Sequence, residues 1–213
     1  MNEIFQYTPA ALLALASFAF VSSITPGPNN LMLLHSGARF GFEKSTPHLL
    51  GVSFGFGFML FLCCIGVAAV ILEVPYAQMA LKILGCAYML WLSYKLWRGG
   101  ALPDEKTLND HSHNQAKPMT FIQASLFQYV NPKAWMMGLS VPSAYLPTTG
   151  SVVTNSLLGV VLFTIINLVC CGAWVQGGAG IRRLMHNPNL AKVVNISIVL
   201  MTLYCAASVW FPA

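Results

Sequence analysis

The chain has 213 residues, of which 56% are hydrophobic and only 8% charged, and its formal net charge is +5. Soluble domains carry about 25% charged residues, so this composition excludes an ordinary soluble protein and describes an integral membrane protein. The positive balance does not read as nucleic-acid binding, because the basic residues fall mainly in short connectors, where they set membrane orientation and meet anionic lipid.

The first predicted span runs from about residue 8 to 35, and no Asp, Glu, Lys or Arg occurs from Ile4 to Ala38. Glu3 and the lack of basic residues before it give no sign of a cleavable signal. A helix needs about 20 apolar residues to cross a bilayer, yet Thr25-Pro26-Gly27-Pro28-Asn29-Asn30 interrupts this one. Each proline removes a backbone donor and clashes with the preceding turn. In hydrocarbon, broken helix is tolerated only where protein or a water-filled cavity surrounds it. A simple kink between packed helices is the plain alternative. Pro-Gly-Pro followed by two carboxamides points instead to a binding site, because interrupted transmembrane helices mark substrate sites.

Arg39, Glu43 and Lys44 form a short charged connector. The second span, residues 45–72, begins near His48 and contains Gly51 and Gly55, a small-residue spacing that lets helices approach closely. Glu73-Val74-Pro75 reads as a turn. The third span, about 76–97, ends in Trp91, Tyr94, Lys95, Trp97 and Arg98, an aromatic and basic interfacial belt. Residues 99–118 are the one long polar connector, with Asp104, Glu105, Asp110, His111 and His113 read as a solvated loop. The fourth span, about 119–146, contains Asn131-Pro132-Lys133. The fifth covers about 151–177 and leaves through a Gly-rich exit to Arg182, Arg183, His186, Asn187 and Lys192. The sixth, about 193–211, closes the chain.

With both termini outside, nine of the 11 Lys and Arg lie in or beside inner connectors, and the outer connectors hold none. Lys82 and Lys133 lie within spans. The positive-inside rule then fixes the orientation. Two halves of three spans must be oppositely oriented. Pro26 and Pro132 recur 106 residues apart, and Cys63-Cys64 and Cys170-Cys171 recur 107 apart. The expected fold is therefore all-α: a polytopic membrane protein of six transmembrane helices, built as two inverted three-helix repeats. The first repeat covers residues 1–98, a cytoplasmic loop 99–118, and the second repeat 119–213. Matched interruptions in inverted halves point to alternating access.

Lys133 is the sharpest single residue. It lies about fourteen positions into its span, where a lysine costs about 2.5–3.5 kcal/mol on insertion scales. Snorkelling is the alternative; it suits Lys82, which is nearer an interface, better than Lys133, which stands beside a helix break. Asn29, Asn30 and Asn131 offer donors and acceptors without charge. Half-helix N-termini favour a carboxylate and unwound carbonyls a cation. Together these suit a zwitterion such as an amino acid, bound by Pro26, Gly27, Pro28, Asn29, Asn30, Asn131, Pro132 and Lys133. No span carries an interior Asp or Glu, which argues for small neutral substrates. It also leaves Lys133 and His48 as the titratable candidates for coupling. His48 could equally sit at the interface.

The six cysteines lie in apolar spans without metal-ligand spacing and read as small hydrophobes. No metal site and no cofactor is implied. There is no HExxH motif, and Gly51-Val52-Ser53-Phe54-Gly55 stands inside an apolar span rather than at a strand-to-helix elbow, so the chain does not read as an enzyme.

Thr25-Pro26-Gly27-Pro28-Asn29, Ser36-Gly37, Gly41, His48-x-x-Gly51, Gly85-x-x-Tyr88-x-x-Trp91, Phe121 and Asn131-Pro132-Lys133-Ala134 together resemble the LysE/RhtB family of bacterial amino-acid exporters. The resemblance covers nearly the whole chain, least so residues 99–118 and the region after Leu146. It implies export of amino acids or close derivatives across the bacterial inner membrane, driven by the proton gradient. Within the family, the chain looks most like exporters of cysteine and O-acetylserine. The partners implied are a small-molecule amino acid, the proton gradient and the lipid bilayer; a homo-oligomer is compatible with this. The wider superfamily keeps metal-ion transport as an alternative, although hard cations prefer carboxylate oxygens. A non-transporting scaffold, with its polar residues as packing glue, is the other.

Overall fold

The computed structural model describes residues 7–74, 76–99, 117–182, 188–208 and 210. The polar connector with Asp104, Glu105, Asp110, His111 and His113 lies outside these residues, as do Glu3, Pro75, Arg183, His186 and Asn187.

All regular structure among the described residues is helical. Helix α1 (Pro9–Ile24) starts where Thr8 Oγ1 accepts the amide of Ala11 at 3.1 Å, with Pro9 at the first position, where a missing N–H costs nothing. Helix α2 (Pro28–Phe40) restarts after the break, bent by 56° from α1. Helix α3 (Phe42–Leu62) follows after one residue, Gly41, whose φ of 82° turns the chain sharply. The expected charged connector is thus shorter than its charges suggested: Arg39 ends α2, while Glu43 and Lys44 lie in the first turn of α3.

A π-helical turn, Cys63–Val67, with Gly66 at φ 129°, joins α3 to α4 (Ala68–Glu73). Then come α5 (Ala77–Gly99) and α6 (Phe121–Phe127), the latter opened by a capping box between Thr120 and Gln123. A 3₁₀ turn, Gln128–Val130, leads to α7 (Pro132–Ala144). Helices α8 (Val152–Arg182) and α9 (Pro188–Ser208) complete the chain.

Phe42–Ile71 and Val152–Ile181 are each long and apolar enough to cross a membrane, and α1 with α2 makes a third if the bent pair is one span. Helix α8 runs past the expected exit near Gly177. The reason is packing. A β-carbon on Gly178 would strike the Leu34 carbonyl of α2, and one on Gly37 would strike the Val175 carbonyl of α8. The glycines serve helix approach here, not termination.

Helix α8 packs on α1, α2 and α3, and α5 packs on α9. One apolar cluster holds Leu15, Phe56, Leu60, Val141 and Phe163; a second holds Leu33, Val52, Ala124 and Val175; a third holds Leu31, Met89, Ile198 and Cys205. In lipid, such fit rather than removal of water drives helix association. The expected close approach at Gly51 and Gly55 is present. Added β-carbons would lie 2.8 Å from Ala124 Cβ and 2.5 Å from Ser125 Cα, and Ser125 Oγ donates to the Gly51 carbonyl at 3.1 Å. This contact seats α6, and with it the second break, against α3.

Candidate functional site

A helix ends with four carbonyls that lack intrahelical partners. At the end of α1 each carbonyl from residue 21 to 26 has a donor. The Thr25 amide serves Val21 at 3.2 Å, and Thr25 Oγ1 serves Ser22 at 3.1 Å. Asn30 Nδ2 reaches back to the carbonyls of Ser23 and Thr25, both at 2.7 Å. Trp174 Nε1 of α8 donates to Ile24 at 3.1 Å. Lys133 Nζ, from the other break, donates to the Thr25 carbonyl at 2.8 Å, Thr25 Oγ1 at 3.0 Å and the Pro26 carbonyl at 3.3 Å. An ammonium has three donors, and these contacts engage all three. A cation at a helix C-terminus is also favoured by the dipole, typically by about 0.3–1 kcal/mol.

The opposite side of the break is open in character. Gly27, the residue before α2, provides no side-chain cap, and Pro28 has no N–H. The first amides of α2 belong to Asn29 and Asn30. A β-carbon on Gly27 would stand 2.8 Å from Lys133 Cδ and 3.1 Å from Nζ, so the lysine passes through space that only glycine leaves. The Gly27 φ of −173° is ordinary extended backbone; the requirement is for room.

The second break repeats the plan. A 13-residue helix restarts at a proline in both places: α2 at Pro28 and α7 at Pro132. Asn131 caps α7, its Oδ1 accepting the Lys133 amide at 3.1 Å. Trp135 Nε1 serves the Tyr129 carbonyl at 2.9 Å. The extended residues are fewer than expected. Residues 25–27 and Asn131 are unwound, whereas Pro28, Asn29 and Asn30, and likewise Pro132 and Lys133, already form first helical turns.

Two polar links join the breaks. One is Lys133. The other pairs two carboxamides: Asn29 Nδ2 donates to Gln128 Oε1 at 2.8 Å, and Gln128 Nε2 lies 3.4 Å from Asn29 Oδ1. Gln128 is completely buried, and its Nε2 also donates to the Ala124 carbonyl at 2.8 Å. Behind Asn30, Asn167 Nδ2 donates to Ser23 Oγ at 3.0 Å, and Cys171 Sγ lies 3.6 Å from both Asn30 Oδ1 and Asn167 Oδ1.

The site has two cavities with a common wall. A polar one of about 20 Å³ is lined by Ser23, Asn29, Asn30, Asn131, Asn167 and Cys171 among others. One of about 200 Å³ is lined mainly by Pro26, Pro28, Pro132, Met89, Met136 and Cys205. Gly27 and Lys133 line both. The structure thus brings the expected residues together at these two cavities, but the three prolines face the apolar one.

His48 stands apart from both cavities' linings. It is buried on α3, with no hydrogen-bond partner for Nδ1 or Nε2. Lys82, on α5, is half-buried. Gln128, Asn167, Ser23 and Trp174 belong to the site and were not singled out from sequence. For Gln128 and Asn167 a signal existed, since each is a carboxamide inside a span expected from sequence. Cys171 departs from the small-hydrophobe reading by joining the polar network.

The sequence profile described as "LysE type translocator" matches residues 20–210. Proteins described as cysteine/O-acetylserine efflux proteins in Escherichia coli (strain K12), Escherichia coli O139:H28 (strain E24377A / ETEC) and Shigella sonnei (strain Ss046) are each 32% identical to the chain over 207 residues. Those matches cover 96% of this chain and 100% of each relative. No solved structure matches. A profile spanning nearly the whole sequence, with relatives matched over their full length, makes this chain a member of the LysE family: a membrane transporter and not an enzyme.

Proposed function

We propose that the chain is a secondary transporter that exports small neutral amino acids or their derivatives from the cytoplasm, coupled to protons, through the bacterial inner membrane. In this reading it has six spans in two inverted three-helix repeats, with both termini outside. The full-length relatives named for cysteine and O-acetylserine efflux support that substrate class.

The observation that carries the reading is the Lys133 link. A lysine from one break holds its charge on the carbonyls of the other. A zwitterion can enter that contact by exchange. Its carboxylate takes the Lys133 ammonium and the open first turn of α2, where Asn29 and Asn30 supply amides. Its ammonium takes the Thr25 and Pro26 carbonyls that the lysine gives up. The polar cavity holds little more than one water, so admission requires the lysine to move or the halves to part. Binding would therefore loosen one of the two links between the breaks, coupling occupancy to the rocking of the halves.

Lys133 and His48 are the proton-coupling candidates. A buried imidazole with no partner is the kind of group that calls for use in another state. The test is accumulation of labelled cysteine and O-acetylserine in inside-out vesicles. Vesicles carrying the protein should accumulate both, and collapse of the proton gradient should stop it. No accumulation above protein-free vesicles would refute the proposal.

A further inference from the structure

The larger cavity is not needed to hold an amino acid's charged groups, and its chemistry differs from theirs. It is walled mainly by proline rings, two thioethers and a thiol, with Thr25, Gly27 and Lys133 at its border. Met89 is 1% exposed and Cys205 7% exposed, so two of these sulfur groups are fixed in the α5–α9 packing, while Met136 is exposed. The cavity adjoins the polar site directly, since Gly27 and Lys133 form part of both walls.

We infer that this chamber receives the substrate's side chain, and that Met89, Met136 and Cys205 set which amino acids are carried. The inference rests on the proposed export function and names the specificity determinants of that site. An α-carbon placed beside Lys133 has its carboxylate and ammonium on the polar side, and its side chain can project only past Gly27 into the chamber.

Three properties of the occupant follow. It is uncharged. Lys133 repels a cation, and the chamber lining provides no carboxylate to pair with one. It is apolar or weakly polar, because proline rings and sulfur atoms reward dispersion contact and offer little hydrogen bonding. It is small to medium in size. About 200 Å³ is far more room than the about 20 Å³ of the polar cavity and takes a side chain of several non-hydrogen atoms. Soft thioethers adapt to several shapes, which suits a set of related side chains rather than one.

The experiment measures uptake of labelled alanine, cysteine and methionine by inside-out vesicles carrying wild-type protein, Cys205→Phe or Met89→Ala at matched abundance. Cys205→Phe fills the chamber from α9, and the ratio of methionine to alanine uptake should fall at least tenfold. Met89→Ala enlarges it, and the same ratio should rise. The two variants act in opposite directions, so a general folding defect cannot imitate the pattern. If wild-type vesicles transport but both variants change all three substrates in equal proportion, or change none, the chamber is only packing or a lipid-facing gap and the inference fails alone. If wild-type vesicles carry none of the three, the export reading and this inference fail together.

Discussion

Lys133 Nζ lies 2.8 Å from the carbonyl oxygen of Thr25, a residue 108 positions earlier in the chain. Neither group could sit as it does without the other. The carbonyl belongs to a helix cut short by Pro26, and the ammonium belongs to a helix that begins only at Pro132. Each break creates a need that the other meets: bare carbonyls on one side, an inserted cation on the other. In the proposed mechanism, a substrate carrying both charges replaces this contact with contacts of the same kind.

The room for that contact is set by Gly27. Gly27→Ala places a β-carbon 2.8 Å from Lys133 Cδ while asking nothing unusual of the backbone. The expected result is a folded protein, with a melting point in detergent close to wild type and export reduced about tenfold or more. Wild-type export from Gly27→Ala would show that the lysine's path is not fixed.

Asn29 and Gln128 should couple energetically. Removing one partner leaves a buried amide unsatisfied, at a cost of about 1–3 kcal/mol. A cycle of Asn29→Leu, Gln128→Leu and the double variant, read by thermal unfolding, should give an interaction energy of about 0.5–3 kcal/mol. The double variant should be less destabilised than the sum of the singles. Strict additivity would mean the pair is incidental.

How far the sequence disclosed this arrangement depends on whether a residue's role is local. Pro26, Pro28 and Pro132 interrupt helices by their own covalent geometry, so both breaks were legible. Lys133 was legible because its position in an apolar span is costly. Gln128 was not. A single carboxamide in such a span looks like packing glue until its partner is known, and that partner, Asn29, is 99 residues away. Gly177 and Gly178 misled for a similar reason, because a glycine that ends a helix and one that admits a neighbour are the same letter. The π-helical turn at Cys63–Val67 also passed unseen, since its sequence is apolar throughout and Gly66 is the only sign.

The proposed topology makes a separate prediction. Reporter fusions after Ala213 should report outside, and fusions within residues 99–118 inside. The distribution of Lys and Arg motivates this. The opposite assignment at both positions would overturn the orientation and, with it, the direction assigned to transport.

The most direct measurement compares two lysines. Lys82 lies in α5 and Lys133 in α7, but only Lys133 holds the carbonyls of the other break. Uptake of labelled cysteine by inside-out vesicles should be abolished, falling at least about a hundredfold, in Lys133→Met. In Lys82→Met at equal membrane abundance it should stay within about a factor of three. Equal transport by the two variants would contradict the account, because Lys133 would then be a lysine that reaches for the membrane surface and the two breaks would not share a site.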